Sequence, residues 1–233
     1  MSDKPNRTSD EVNILARNLS HQWSGSKTSI RFPDFEVRSG EHWYFRGASG
    51  SGKSTLLGLL AGLAVPSRGT LDVLGQEMSQ TSRRRRDRLR ANDLGVIFQQ
   101  FNLVPYLSAV GNVQLPCRLS KDRARRCAQG QPDREAKQLL LALDIDESLW
   151  DRPVNALSVG QQQRVAAARA LIGAPALILA DEPTSALDSD NRDRFMDLLL
   201  TQCQKVGASL IFVSHDRALA HLFPNTLELG PHQ

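Results

Sequence analysis

Cysteine is scarce in this chain. There are three in 233 residues, Cys117, Cys127 and Cys203, and no two have the C-x2-C spacing of a zinc site. An odd, scattered set argues against a disulfide framework and predicts buried or indifferent thiols in a reducing compartment. Aromatic residues make up 6%, and none interleaves with the basic clusters, which removes the stacking platform used to grip single-stranded nucleic acid. Long apolar runs are missing too. The longest, 56–66 and 171–180, fall short of the roughly 18 residues needed to cross a bilayer. The opening MSDKPNRTSDE is polar and has no signal-peptide core, so a cytosolic chain is expected, held at a membrane only by a partner. No internal repeat is visible, and the one biased tract is a run of arginines.

What remains is ordinary for one elaborated globular domain: 40% hydrophobic, 23% charged, mean hydropathy −0.34. The net charge of +4 is modest, but the basic residues cluster. Residues 83–90 read RRRRDRLR, and Arg118, Lys121, Arg123, Arg125 and Arg126 form a second group. Solvated helix faces, nucleic-acid contact and contact with anionic lipid all remain open from composition alone.

Residues 1–10 read as a frayed tail. From Val12 to Arg46 short apolar stretches alternate with turn residues, which predicts a small antiparallel sheet whose last strand is 41–46. Helices are predicted over 53–63, 79–91, 135–143, 159–172 and 189–206, with further strands over 69–74 and 94–99. The runs ALILA (176–180) and SLIFV (209–213) are continuously apolar, as strands covered on both faces are. Strand–helix alternation at this spacing indicates an α/β fold with a parallel sheet, interrupted by a helical insertion over about 103–165. Gly58 and Gly62 imitate a membrane G-x-x-x-G, but close packing of a short helix on the sheet is the plainer expectation.

The strongest chemical signal is Gly47-Ala48-Ser49-Gly50-Ser51-Gly52-Lys53-Ser54, which fits G-x-x-x-x-G-K-[ST] between a predicted strand and a helix. Glycines let successive backbone N–H groups turn toward one anion, and the helix N-terminus adds its positive dipole end. Lys53 is then a point charge for β- and γ-phosphates, and Ser54 offers a hydroxyl to Mg²⁺. The strand at 176–180 ends in Asp181-Glu182. Beside the phosphate loop Asp181 would hold the metal, while Glu182 would orient or deprotonate the attacking water.

Further segments follow in order: Gln99 after LGVIF, Leu157-Ser158-Val159-Gly160-Gln161 before a helix, Ser185-Ala186-Leu187-Asp188, and His215 after SLIFVS. With these motifs the chain resembles the ATP-binding cassette (ABC) ATPases over nearly its whole length. LSVGQ resembles their signature motif, with valine where the consensus has a second glycine. Gln99 resembles the Q-loop glutamine, Ser185–Asp188 the D-loop and His215 the switch histidine. The resemblance implies an α/β P-loop NTPase with a RecA-like core, a small antiparallel β subdomain (12–46) and a helical subdomain (103–165), the core spanning about 47–102 and 166–233. It implies ATP and Mg²⁺ as ligands. Glu182, His215 and Gln99 would serve catalysis, and Ser54, Gln99 and Asp181 the metal. The nucleotide would be held by Trp23, by Gly47 through Thr55 (Gly47, Ala48, Ser49, Gly50, Ser51, Gly52, Lys53, Ser54, Thr55), and by Ser158, Gly160, Gln161 and Asp188, with Trp23 standing where an aromatic side chain stacks on adenine. Ser158 belongs to a second anion site that closes on the ATP of another subunit in a head-to-tail homodimer.

Repair and chromosome-condensing ATPases carry coiled coils or zinc modules inside the cassette, and translation-associated members carry two cassettes; this sequence has none of these. FQQFNLVPYLSAVGNVQLP and LSVGQQQRVAAARALIGAPALILADEPTSALD are most similar to the lipoprotein-releasing, macrolide-export and cell-division group. That implies a peripheral subunit on the cytoplasmic face of a bacterial inner membrane, a few-span permease as partner with room for a periplasmic component, and no nucleic acid. The apolar loop 100–107, including Phe101, Leu103 and Tyr106, is expected to face the permease.

Overall fold

The computed structural model describes residues 11–25 and 28–230. The expected tail at 1–10 and part of the Ser-Gly-Ser run after Trp23 lie outside the described residues. The chain is α/β. Strands β1 (Val12–Gln22), β2 (Ser29–Arg31), β3 (Phe35–Arg38), β4 (His42–Gly47) and helix α1 (Lys53–Leu60) come first, followed by β5 (Arg68–Val73), β6 (Gln76–Glu77), α2 (Arg83–Asp93) and β7 (Leu94–Ile97). Next come α3 (Ala109–Leu119), α4 (Lys121–Arg126), α5 (Pro132–Ala142) and α6 (Val159–Leu171). The chain closes with β8 (Leu177–Asp181), α7 (Ser189–Val206), β9 (Ser209–Ser214) and β10 (Asn225–Leu229).

Two sheets result. An all-parallel sheet has the order β10-β4-β9-β8-β7, and an antiparallel one joins β2, β1, β5 and β6 with β3 also paired to β1. The expected strand set for the antiparallel sheet needs correcting at both ends. His42–Gly47 belongs to the parallel sheet, where Tyr44 pairs with Phe212, whereas Arg68–Val73, expected in the core, pairs antiparallel with β1. Sequence pattern cannot separate these cases, because a strand's sheet is chosen by partners far away in the chain. Strand β10 escaped the sequence reading: NTLEL is short and alternates polar with apolar, and it becomes a strand only by pairing with β4.

Alternation along the parallel strands sorts the core into two layers. Ile178, Ala180, Leu210 and Phe212 face Val165, Ala166 and Phe195 of α6 and α7. Leu177, Leu179, Ile211 and Val213 face Leu56, Leu59 and Leu60 of α1 and the antiparallel sheet, through Val37, Leu71 and Val73. Two-sided burial explains why β8 and β9 read as unbroken apolar runs. Helix α6 lies so close to β7 that a Cβ on Gly95 would sit 2.3 Å from the Ala170 carbonyl oxygen.

The glycine pair of α1 acts differently from expectation. Gly58 has nothing within 4 Å of where a Cβ would stand, and Gly62, at φ 64°, terminates the helix. Its capping involves the arginine run: Arg90 donates to the carbonyls of Ala61 at 3.0 Å and Gly62 at 2.9 Å, and Arg86 to Gly62 at 3.2 Å. Helix α2 starts at Arg83 rather than at 79, because the Ser79 and Thr81 hydroxyls instead bond the side chain and carbonyl of Glu77. Arg83, Arg84, Arg85 and Arg88 are exposed. In the second basic group Arg123 is 2% exposed and donates to the carbonyls of Leu94, Ala170 and Ile172 at 2.6–2.7 Å. These arginines are structural clamps as well as surface charge.

Candidate active site at the phosphate loop

Strand β4 delivers the chain into the loop 47–52, and α1 begins at Lys53. Gly50 (φ 79°) and Gly52 (φ 87°) take left-handed conformations that turn the loop around a concavity. Gly47 is needed for space: a Cβ there would meet Ser51 Oγ at 2.3 Å and the Leu229 carbonyl oxygen of β10 at 2.8 Å. The buried Lys53 ammonium donates to the carbonyls of Gly47 at 2.8 Å and Ala48 at 3.0 Å, which holds the hairpin of the loop closed on itself.

The ends of β8 and β9 supply the rest. Asp181 closes β8, and its Oδ2 accepts from Ser54 Oγ at 3.2 Å. Burial pushes the Asp181 carboxyl up, with the Ser54 hydroxyl opposing that shift. Glu182 follows at φ 43°, a left-handed backbone that is costly for a non-glycine residue, and its N–H is pinned to the Val213 carbonyl at 2.9 Å. This kink lets the two adjacent carboxylates serve one cavity. Glu182 Oε1 lies 3.8 Å from Lys53 Nζ, and Glu182 Oε2 lies 3.0 Å from His215 Nδ1.

These groups line one cavity of about 580 Å³, bounded by Ile30, Ser49, Gly50, Gly52, Lys53, Ser54, Thr55, Gln99, Asp181, Glu182 and His215. The structure therefore brings together residues from five separate stretches of sequence. Cationic Lys53 and the α1 N-terminus suit a polyphosphate, and the hydroxyl, carboxylate and amide oxygens of Ser54, Asp181 and Gln99 form the hard oxygen set that Mg²⁺ takes. Ala48 and Ser51 support the loop from behind.

Other expected site residues stand apart from this cavity. Trp23 is 53% exposed and touches the His21 ring edge-on at 4.7 Å, so it is not packed into the small sheet. Ser158 and Gln161 form a reciprocal capping box at the exposed N-terminus of α6. Gly160 lies near Leu187 of the following loop, and Asp188 caps α7 by accepting from Asn191 N at 2.9 Å. Two polar groups, buried Asn112 and half-buried Arg169, went unnoticed in the sequence. Asn112 ties the loop after Gln99 by bonding Val104 N at 2.8 Å and Val104 O at 3.0 Å, and Arg169 donates to the Asn102 carbonyl at 2.7 Å. Neither carries a motif, and each gains its role from a loop folded over it.

The sequence pattern of the ABC transporter family matches residues 31–185. The chain belongs to that family. The lipoprotein-releasing system ATP-binding protein LolD of Hydrogenovibrio crunogenus is 40% identical over 210 residues, 89% of each chain. The uncharacterized ABC transporter ATP-binding protein YbbA of Escherichia coli is 42% identical over 184 residues, 79% of this chain and 78% of that one. Among solved structures, the ATP-binding cassette MJ0796 in a dimeric post-hydrolysis state with ADP and Pi superposes with a TM-score of 0.78 at 30% identity, covering 93% and 94% of the two chains. This ABC protein is thus an ATP-hydrolysing subunit. Among the described residues no helix is long and apolar enough to cross a membrane.

Proposed function

We propose that this chain is the ATPase of a membrane complex of the lipoprotein-releasing or export type, and that it works as a homodimer in which two ATP molecules are sandwiched head to tail. The observation behind the dimer is that the N-terminus of α6, with Ser158 at its cap, is exposed and lies outside the lining of its own chain's phosphate cavity; it would serve as a second anion site. A second copy supplies it with a γ-phosphate. The dimeric state of the MJ0796 cassette supports this arrangement.

In each site Lys53 exchanges its bonds to the loop carbonyls for the β- and γ-phosphates, which opens the loop to receive them. Ser54, Asp181 and Gln99 would hold Mg²⁺, which would supply charge neutralisation at the phosphates. Glu182 accepts the proton of the attacking water, and His215, in contact with that carboxylate, holds it in position and reaches toward the γ-phosphate. Trp23, whose indole is exposed, stacks on the adenine.

The permease docks beside Gln99. A groove of about 470 Å³ runs between α2, the end of β7 and α3, lined by Phe98, Leu115 and Leu119 over an apolar floor, with Arg90 and Arg169 at its edge. Phe98 and Leu119 are exposed, and Tyr106 in the adjoining loop is 78% exposed. The partner is a few-span permease in the inner membrane, with this chain bound to its cytoplasmic face, a reading supported by the likeness to LolD, and the arrangement leaves room for a periplasmic component.

Sedimentation of the Glu182→Gln protein tests the dimer. With ATP and Mg²⁺ the variant should sediment as a dimer, and with ADP as a monomer. A monomer at saturating ATP would refute the sandwich.

A further inference from the structure

The cysteines that look scattered in sequence are not scattered in space. Cys117, in the last turns of α3, and Cys127, just beyond α4, bring their sulfurs to 3.4 Å. Both are buried, yet Cys117 lines a cavity of about 340 Å³ with Gln114, Arg118, Pro132 and Asp133, which gives a small solute a way in. Between them in sequence lies Arg123, whose guanidinium is bonded to carbonyl oxygens alone and keeps its full positive charge near the sulfurs. We propose that Cys117 and Cys127 form an oxidisable dithiol that closes to an intrachain disulfide when the protein meets hydrogen peroxide.

The two sulfurs are not equivalent, and the difference assigns their roles. The hydrogen bond with Cys127 lowers the Cys117 thiol, and Arg123 and Arg126 act in the same direction. The same contact and burial raise Cys127. Cys117 lines the small cavity and Cys127 is not among its lining residues, so an entering oxidant meets Cys117 first: Cys117 is the attacking sulfur and Cys127 the resolving one. The Cys117 thiolate attacks the peroxide oxygen: an S–O bond forms, the O–O bond breaks, and the departing hydroxide takes a proton to become water. The Cys127 thiol then loses its proton and attacks the sulfenic sulfur, forming S–S and expelling a second hydroxide as water. Two thiols are oxidised and one peroxide is reduced to two waters. Closing from 3.4 Å to a bond of about 2.05 Å brings the sulfurs together by roughly 1.4 Å.

Cys203 provides an internal comparison. It is fully buried on α7, and burial pushes its thiol up to about 12, so it should stay reduced. The dithiol sits beside the carbonyl clamp that fixes α4 to Leu94 at the start of β7. Oxidation would stiffen this junction without touching the phosphate cavity, so the proposal stands or falls independently of the functional reading above.

The test uses the intact protein, treated with hydrogen peroxide, then denatured in iodoacetamide and weighed. The untreated chain should carry three labels, matching its three free cysteines. Oxidised chain should carry one label, on Cys203, with a peptide linking Cys117 to Cys127, and dithiothreitol should restore three. In a Cys127→Ser protein of unchanged circular dichroism, dimedone should trap a sulfenic acid on Cys117. Retention of three labels under peroxide, or sulfinic acid on Cys117 with Cys127 still labelled, would overturn the dithiol. Trapping on Cys127 in a Cys117→Ser protein but not the reverse would overturn the assignment of roles.

Discussion

His215 Nδ1 and Glu182 Oε2 stand 3.0 Å apart across the mouth of the phosphate cavity, joining the ends of neighbouring parallel strands. Each residue is one position past the end of its strand, so the pairing of β8 with β9 sets their separation. The histidine thereby holds the carboxylate beside the space where a γ-phosphate and its attacking water would lie.

Removing either group should separate binding from turnover. Glu182→Gln should lose at least about a hundredfold in ATP hydrolysis, the lower end of what a general base contributes. His215→Ala should lose a similar amount, and both should retain ATP affinity in equilibrium dialysis. Hydrolysis within threefold of the parent rate in either variant would remove that residue from the chemistry.

Lys53 is buried and bonded to the loop's own carbonyls, so its loss affects both the empty loop and the loaded one. Lys53→Ala should weaken ATP binding by at least about tenfold, because a charge-assisted contact to phosphate is worth some 1.5–3 kcal/mol. Fluorescent nucleotide titration checks this, and an unchanged affinity would contradict the phosphate role.

Trp23 is exposed and positioned ahead of the phosphate loop. Removing a base–aromatic stack costs about 1–3 kcal/mol, so Trp23→Ala should weaken ATP binding by roughly one to two orders of magnitude. GTP should suffer similarly, and Trp23→Tyr should recover most of the affinity. An alanine protein that is folded and binds ATP normally would exclude the stack.

The loop after Gln99 is divided. Phe101 is buried in the core, whereas Tyr106 is exposed, as is Leu119 on the groove wall. Tyr106→Glu and Leu119→Glu should leave melting temperature and intrinsic ATPase activity unchanged while abolishing stimulation by the permease in proteoliposomes. Unfolding of both variants would assign these side chains to internal packing instead.

Arg123 offers a stability test. Burial lowers its guanidinium to about 10, and it donates to three carbonyls. Arg123→Met should destabilise the fold by at least about 2 kcal/mol in urea titration, because each buried acceptor left without a donor costs about 1–3 kcal/mol. A loss below about 1 kcal/mol would show that water replaces the clamp.

The site was legible in the sequence where chemistry is local. Gly47–Ser54 must be contiguous because backbone N–H groups of one loop surround one anion, and Asp181-Glu182 is legible because a buried strand ends there. Likewise Ser158 and Gln161 are three residues apart because a helix turn sets that spacing. The class of fold followed from the unbroken apolar runs of β8 and β9, which two-sided burial requires. Tertiary structure decided whatever depends on partners distant in the chain: that β4 joins the parallel sheet and β5 the antiparallel one, and that NTLEL becomes a strand behind Gly47. It also turned part of an arginine run into a cap for α1, and brought Cys117 to Cys127. Local pattern records what a residue prefers, while long-range pairing and the need to satisfy every buried carbonyl decide which neighbour it gets.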